Sequence, residues 1–133
     1  MKKHIMLSRI FCVILIVLEA IPQSAVLYFA SEEGRVKQEF SCFDLTPFGY
    51  ANFGPFITAM LTVVLFILLT VMLFKDTKLL RSISAYVSAT ALLTSVSPIL
   101  YGIEYMTGIS FCISLVLTCT CVLLFIASRY CEK

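Results

Sequence analysis

The chain has 133 residues, 60% of them hydrophobic and 14% charged, with a mean hydropathy of +1.00. Soluble domains carry roughly a quarter charged residues, so this is the composition of an integral membrane protein, and its length leaves no room for a separate soluble domain beside one membrane domain over residues 1–133. The net charge of +2 favours no polyanionic partner.

The first apolar run predicts a helix over 6–30. Lys2 and Lys3 ahead of it also resemble the start of a secretory signal. Arg9, Glu19 and Pro22 interrupt the run and Tyr28 is too bulky for the cleavage position before Ala30, so a retained helix is preferred; cleavage after Ala20 or Ala25 is the alternative, leaving three spans. Glu19 is the anomaly, ten residues beyond Arg9 and thirteen before Glu32, near the midplane of a span. Ser8, Cys12, Glu19 and Gln23 fall on one helical face, bridged by Leu15 and Ile16, and that face is expected to look inward. Pro22 removes a donor and frees the Leu18 carbonyl, which predicts a kink just beyond Glu19, with Tyr28 and Phe29 at the outer interface.

Residues 31–55 form the expected outer loop. Ser31 to Glu39 is charged, whereas Phe40, Phe43, Phe48, Tyr50, Phe53 and Phe56, with Pro47, Gly49, Gly54 and Pro55, make an aromatic segment expected to lie in the interface or cap the bundle; a ligand lid is the alternative. The second span, 56–74, has no charge and carries Thr58 and Thr62 on a polar ridge. Lys75 to Arg81 is a basic turn in which Asp76 or Thr77 suits a helix cap.

The third span, 80–103, is rich in small residues. Ser84 with Ser88 and Ala85 with Ala89 allow another helix to approach closely, in this chain, a homo-oligomer or a membrane partner. Pro98 kinks or ends it, and Tyr101, Gly102, Glu104 and Tyr105 make an interfacial exit. The fourth span, 106–128, carries Ser110, Ser114 and Thr118 on one ridge and stops at Arg129, Glu132 and Lys133.

Four spans place Lys2, Lys3, Arg9, Lys75, Lys78, Arg81, Arg129 and Lys133 on one side and only Arg35 and Lys37 on the other. The positive-inside rule then predicts a multi-pass plasma-membrane protein with both termini cytoplasmic and the aromatic loop outside; attraction of anionic lipids is a second reading of the same charges. Cys12, Cys112, Cys119 and Cys121 lie in apolar runs, where thiols pack as small hydrophobes, while Cys42 is expected outside and Cys131 inside.

No familiar catalytic motif is present, and His4 is the single histidine, so no enzyme activity or cofactor is expected. Cys119 and Cys121, two apart on a helix, point to different faces and suit no metal site. Thinly spread basic residues argue against nucleic acid.

Burial disfavours the charged form of Glu19. One reading gives it a packing role, as a neutral carboxyl donating to a serine, a threonine or a freed carbonyl; the other couples a proton on it to solute movement. Glu19-Ala-Ile, followed by Phe29-Ala-Ser-Glu-Glu-Gly34, resembles the first-helix exit of the small multidrug resistance transporters over 16 residues. The resemblance implies four short spans and a functional glutamate in the first. The chain departs from that family in its 25-residue first loop, its eight-to-two charge bias and its lack of tryptophan.

The expected fold is an all-α bundle of four transmembrane helices with one longer extracytoplasmic aromatic loop. The expected function is that of a non-catalytic accessory or interaction subunit. The alternative is a proton-coupled exporter of a small solute or cation, with Glu19, Pro22 and Gln23 as its site.

Overall fold

The computed structural model describes residues 2–44 and 53–129. It is mostly helical: α1 (Lys2–Ala20), strands β1 (Ala25–Ser31) and β2 (Gly34–Phe40), then α2 (Phe53–Phe74), α3 (Lys78–Val96) and α4 (Gly108–Arg129). Single 3-10 turns at Ser97–Leu100 and Ile103–Tyr105 join α3 to α4. Three helices are long and apolar enough to cross a membrane, namely Phe53–Phe74, Lys78–Leu100 and Gly108–Arg129. At 1.5 Å per residue, the 22 residues of α2 or α4 reach about 33 Å, against a hydrocarbon core of roughly 30 Å. α1 has 19 residues and carries Lys2, Lys3, Arg9 and Glu19, so apolarity alone does not place it with the other three.

The helices pack in a ring in which α1 touches α2 and α4, and α3 touches the same two. Each buries a stripe whose spacing alternates between three and four residues. In α1 the stripe is Ile5, Ser8, Cys12, Leu15 and Glu19; in α2 it is Thr58, Thr62, Leu65, Leu69 and Met72. Arg81, Ser84, Ser88, Ala91 and Ser95 continue the pattern in α3, and Ser110, Ile113, Leu117, Thr120, Leu124 and Ala127 in α4. A 3.5-residue period keeps one seam facing the partner helices, as in left-handed four-helix bundles.

The outward faces are more apolar than the seam. Met6, Leu7, Ile10, Val13, Ile14 and Val17 are exposed on α1, as are Ile57, Met60, Val64, Ile67 and Val71 on α2, while serines, threonines and Glu19 are buried.

The first helix is shorter than the sequence predicts. It ends at Ala20, and residues 25–30, expected to be helical, belong to β1. Pro22 supplies part of the reason, because it has no N–H to continue the ladder. The Leu18 carbonyl instead accepts the Ile21 N–H at 3.3 Å, and a further turn joins Ser24 N–H to the Ile21 carbonyl at 3.0 Å. The chain then alternates between two faces as an antiparallel hairpin, with Ala25 opposite Phe40, Phe29 opposite Val36 and Ser31 opposite Gly34. Glu32 and Glu33 make the turn, and Gly34, at φ +126°, takes a backbone conformation that a side chain would strain.

Tyr28 and Phe29 therefore sit on a strand rather than at a helix end. Tyr28 meets the α3–α4 connection, where its hydroxyl donates to the Glu104 carbonyl at 3.4 Å and its ring stands edge-on to Tyr105 at 5.1 Å. Of the expected aromatic loop, Pro47, Phe48, Gly49 and Tyr50 lie outside the described residues, as does Cys131 at the C-terminus.

α3 ends at Val96 and Pro98 enters the following 3-10 turn. The turn runs close to the start of α2: a Cβ on Gly54 would lie 2.2 Å from Ser97 Oγ. At the opposite end, Thr77 caps α3 by accepting the Leu80 N–H at 3.3 Å, and Arg81, 5% exposed, grips Asp76 through Nε and Nη2.

The small-residue face of α3 is occupied within this chain. Ser84, Ala85 and Ser88 are buried among the helices of this chain and Ala89 is half-exposed, and their small size permits that close approach.

Candidate functional site

Glu19 occupies the last turn of α1, in the same stripe as Ser8, Cys12 and Leu15, and is fully buried. Its Oε1 accepts a hydrogen bond from Thr62 Oγ1 at 2.8 Å, and Thr62 Oγ1 also lies 3.0 Å from the Thr58 carbonyl. One hydroxyl has a single proton for these two acceptors. A proton on Oε1 resolves the competition: Glu19 donates to Thr62, and Thr62 donates to Thr58. Oε2 has no hydrogen-bond partner among the described residues. The ion pairs among those residues join Lys37 to Glu39 and Arg81 to Asp76, leaving Glu19 without a cation. Arg9, also on α1, lies over the Phe66 ring at 5.3 Å.

The Glu19 backbone is a second anchor. Its carbonyl, freed because the helix stops, accepts Ser24 Oγ at 3.0 Å and the Cys42 N–H at 2.9 Å. Cys42 N–H is also 2.9 Å from Ser24 Oγ, and Ser110 Oγ donates to the Ser24 carbonyl at 2.6 Å. The residue before β1, the loop after β2 and the start of α4 therefore meet at the end of α1. Satisfying a buried carbonyl twice is what lets a helix end inside the protein.

Cys42, in the loop after β2, is 4% exposed beneath the hairpin. Burial pushes its thiol from 9.0 up to about 11; the nearby Glu19 and Asp44 carboxyls act in the same direction, and the hydrogen bond with Ser24 acts against them.

The predicted site residues do not stay together. Glu19 is buried as expected, but Pro22 and Gln23 are exposed in the turn beyond the helix. The four-residue relation that places Gln23 over Glu19 holds only in a continuous helix, and α1 ends first. Thr62, Ser24, Cys42 and Ser110 take their place. Of these, Thr62 and Ser110 stand on ridges visible in the sequence, although Thr118 turns out to be exposed.

Above Glu19, towards the hairpin, a cavity of about 370 Å³ is walled by Tyr28, Phe53, Leu100, Tyr101 and Tyr105, with Ser97 and Ser110 among its polar groups. Comparison of the chain with protein-family models, with curated proteins and with solved structures gives no match.

Proposed function

We propose that the chain is a small integral membrane protein in which α1 joins the three apolar helices as a fourth crossing, and that it acts as a non-catalytic accessory subunit presenting its hairpin to a partner. The exposed apolar face of α1 supports the fourth crossing, since its charges lie at the helix start, over Phe66 or inside the bundle. With eight basic residues on the terminal side and Arg35 and Lys37 on the hairpin side, the termini are cytoplasmic and the hairpin faces out from the plasma membrane.

The observation that carries the accessory role is the hairpin itself. Every residue from Ala30 to Glu39 is exposed, and among the described residues β2 pairs with β1 on one side, so its other side is an edge of backbone donors and acceptors. Such an edge accepts an added strand, and Arg35, Lys37 and Glu39 alternate beside it to select the partner. The test is a photo-crosslinker at Val36 in the native membrane, compared with one at Met60 on the outward face of α2. A discrete protein adduct from Val36, lost in Arg35→Glu/Lys37→Glu, supports the role; adducts only to lipid from both positions would end it.

A second reading has its own observation. Among the described residues Glu19 Oε2 is buried without a partner, and Thr62 has one proton for two acceptors, an arrangement suited to a carboxyl that gains and loses a proton. In this reading the protein exports a small solute or cation in exchange for protons. Proton release from reconstituted protein on addition of organic cations, abolished in Glu19→Gln, would support it. Absence of release across a broad panel would leave Glu19 a packing residue.

A further inference from the structure

We propose that Glu19 is a proton-binding site that exchanges with the hairpin side alone, through the aromatic-walled cavity and a hydroxyl-lined chamber beneath it. The proposal rests on the proton reading of Glu19 and adds the route and its direction. The cavity of about 370 Å³ shares Pro55, Pro98 and Ser110 with a second, smaller space of about 10 Å³. That is close to the size that admits one water molecule, which also needs two to four polar partners. The chamber offers them, since Ser24, Thr58, Ser95 and Ser110 all line it. Their hydroxyl protons are engaged by protein acceptors, and each oxygen keeps lone-pair capacity for a donor.

The chamber wall is also the wall of the Glu19 shell. Ser24 and Cys42 line the chamber and both donate to the Glu19 carbonyl, while Thr58 lies one turn from Thr62, whose hydroxyl meets Oε1. On the terminal side the seam is different. Leu15, Leu65 and Leu117, all 0% exposed, are the next residues of the stripes below Glu19, Thr62 and Ile113, so a proton has this apolar layer to cross before it reaches Glu19 from the buried hydroxyls of Ser8, Ser84, Ser88 and Thr120 farther down.

Among the described residues the titratable groups near Glu19 are Cys12 on its own helix and Cys42 in the loop, with Asp44 near Cys42. α2 presents Thr62, and the adjoining seam of α4 presents Ser110, Ile113 and Leu117, none of which titrates in water's range. The step is a simple acid–base exchange. A hydronium from the hairpin side gives its proton to the carboxylate, leaving water and a neutral carboxyl, and release returns the proton by the same route.

The test is infrared spectroscopy of the full chain in sealed liposomes with the hairpin outward, the orientation being read from surface labelling of Val36→Cys. The protonated-carboxyl band is assigned by its loss in Glu19→Gln and, independently, by its shift in Glu19→Asp. The band is expected to follow external pH and to ignore internal pH, with a slower response in Thr58→Val, which removes one hydroxyl from the chamber. A band that follows internal pH overturns the route while leaving Glu19 a proton site. A band that follows neither overturns both the route and the proton reading.

Discussion

Replacing Thr62 by valine preserves the side-chain shape and removes the hydroxyl that lies 2.8 Å from Glu19 Oε1 and 3.0 Å from the Thr58 carbonyl. With Oε2 already unpartnered among the described residues, the substitution leaves both carboxyl oxygens of a fully buried residue without a hydrogen bond to them. Hydrogen bonds between membrane helices average about 0.6 kcal/mol and reach about 1.7. Stranding a buried polar group costs about 1–3 kcal/mol. The two ranges overlap at about 1–1.7 kcal/mol, which is the expected loss. Reversible SDS unfolding followed by circular dichroism measures it, and a double-mutant cycle with Glu19→Met isolates the pair, because the unbranched thioether fills similar space without a polar oxygen. In the Met background Thr62→Val should cost under about 0.5 kcal/mol, giving a coupling near 1 kcal/mol. A neutral Thr62→Val in the wild-type background, or equal costs in both backgrounds, would show that the Glu19–Thr62 bond contributes nothing to the bundle.

Cys42 should resist N-ethylmaleimide at neutral pH until the chain is unfolded: raising its thiol from 9.0 to about 11 makes thiolate about 100-fold rarer, and burial slows access further; rapid labelling of the folded protein would contradict the buried position. Gly54→Ala should force Ser97 Oγ away from the Thr94 carbonyl, to which it donates at 2.7 Å, at a cost of about 1 kcal/mol. Ser97→Ala in the same chain should remove most of the added penalty, and an unchanged penalty in SDS unfolding would place the clash elsewhere. Asp76→Asn should destabilise by about 1–2 kcal/mol, below the full value for a buried pair because the Asp76 side chain is 27% exposed while Arg81 is 5% exposed; thermal unfolding in detergent at two salt concentrations checks it, and a loss that vanishes in high salt would mark an ordinary surface pair.

The inward face of α1 was legible because helical geometry fixes it locally: Ser8, Cys12, Leu15 and Glu19 recur at three and four residues, and all four are buried. The three apolar helices were legible for the same reason, hydropathy being summed along one segment. The hairpin was not. Ala25–Ser31 reads as a continuation of the apolar run before it, and Gly34–Phe40 reads as charged loop, because only Val36 and Phe40 are apolar among its seven residues. Each strand makes sense only opposite the other, and pairing across a turn is not a property of either segment alone. Strict alternation of Arg35, Lys37 and Glu39 with Val36, Gln38 and Phe40, next to Glu-Glu-Gly, was the available signal. The partnership of Glu19 with Thr62 depends on the register between α1 and α2, which packing sets and neither helix's own period specifies.

The clasp at the end of α1 has a mechanical consequence. Ser24 stands immediately before one leg of the hairpin and Cys42 two residues after the other, and both hold the same carbonyl oxygen, that of residue 19. The legs are thus hinged on the residue that bears the buried acid. Tilting the hairpin strains the peptide from which that side chain grows, and moving the side chain strains the hinge. By linkage, whatever free energy a partner's grip contributes to one carboxyl state over the other, a change of that state returns to the partner's affinity by the same factor.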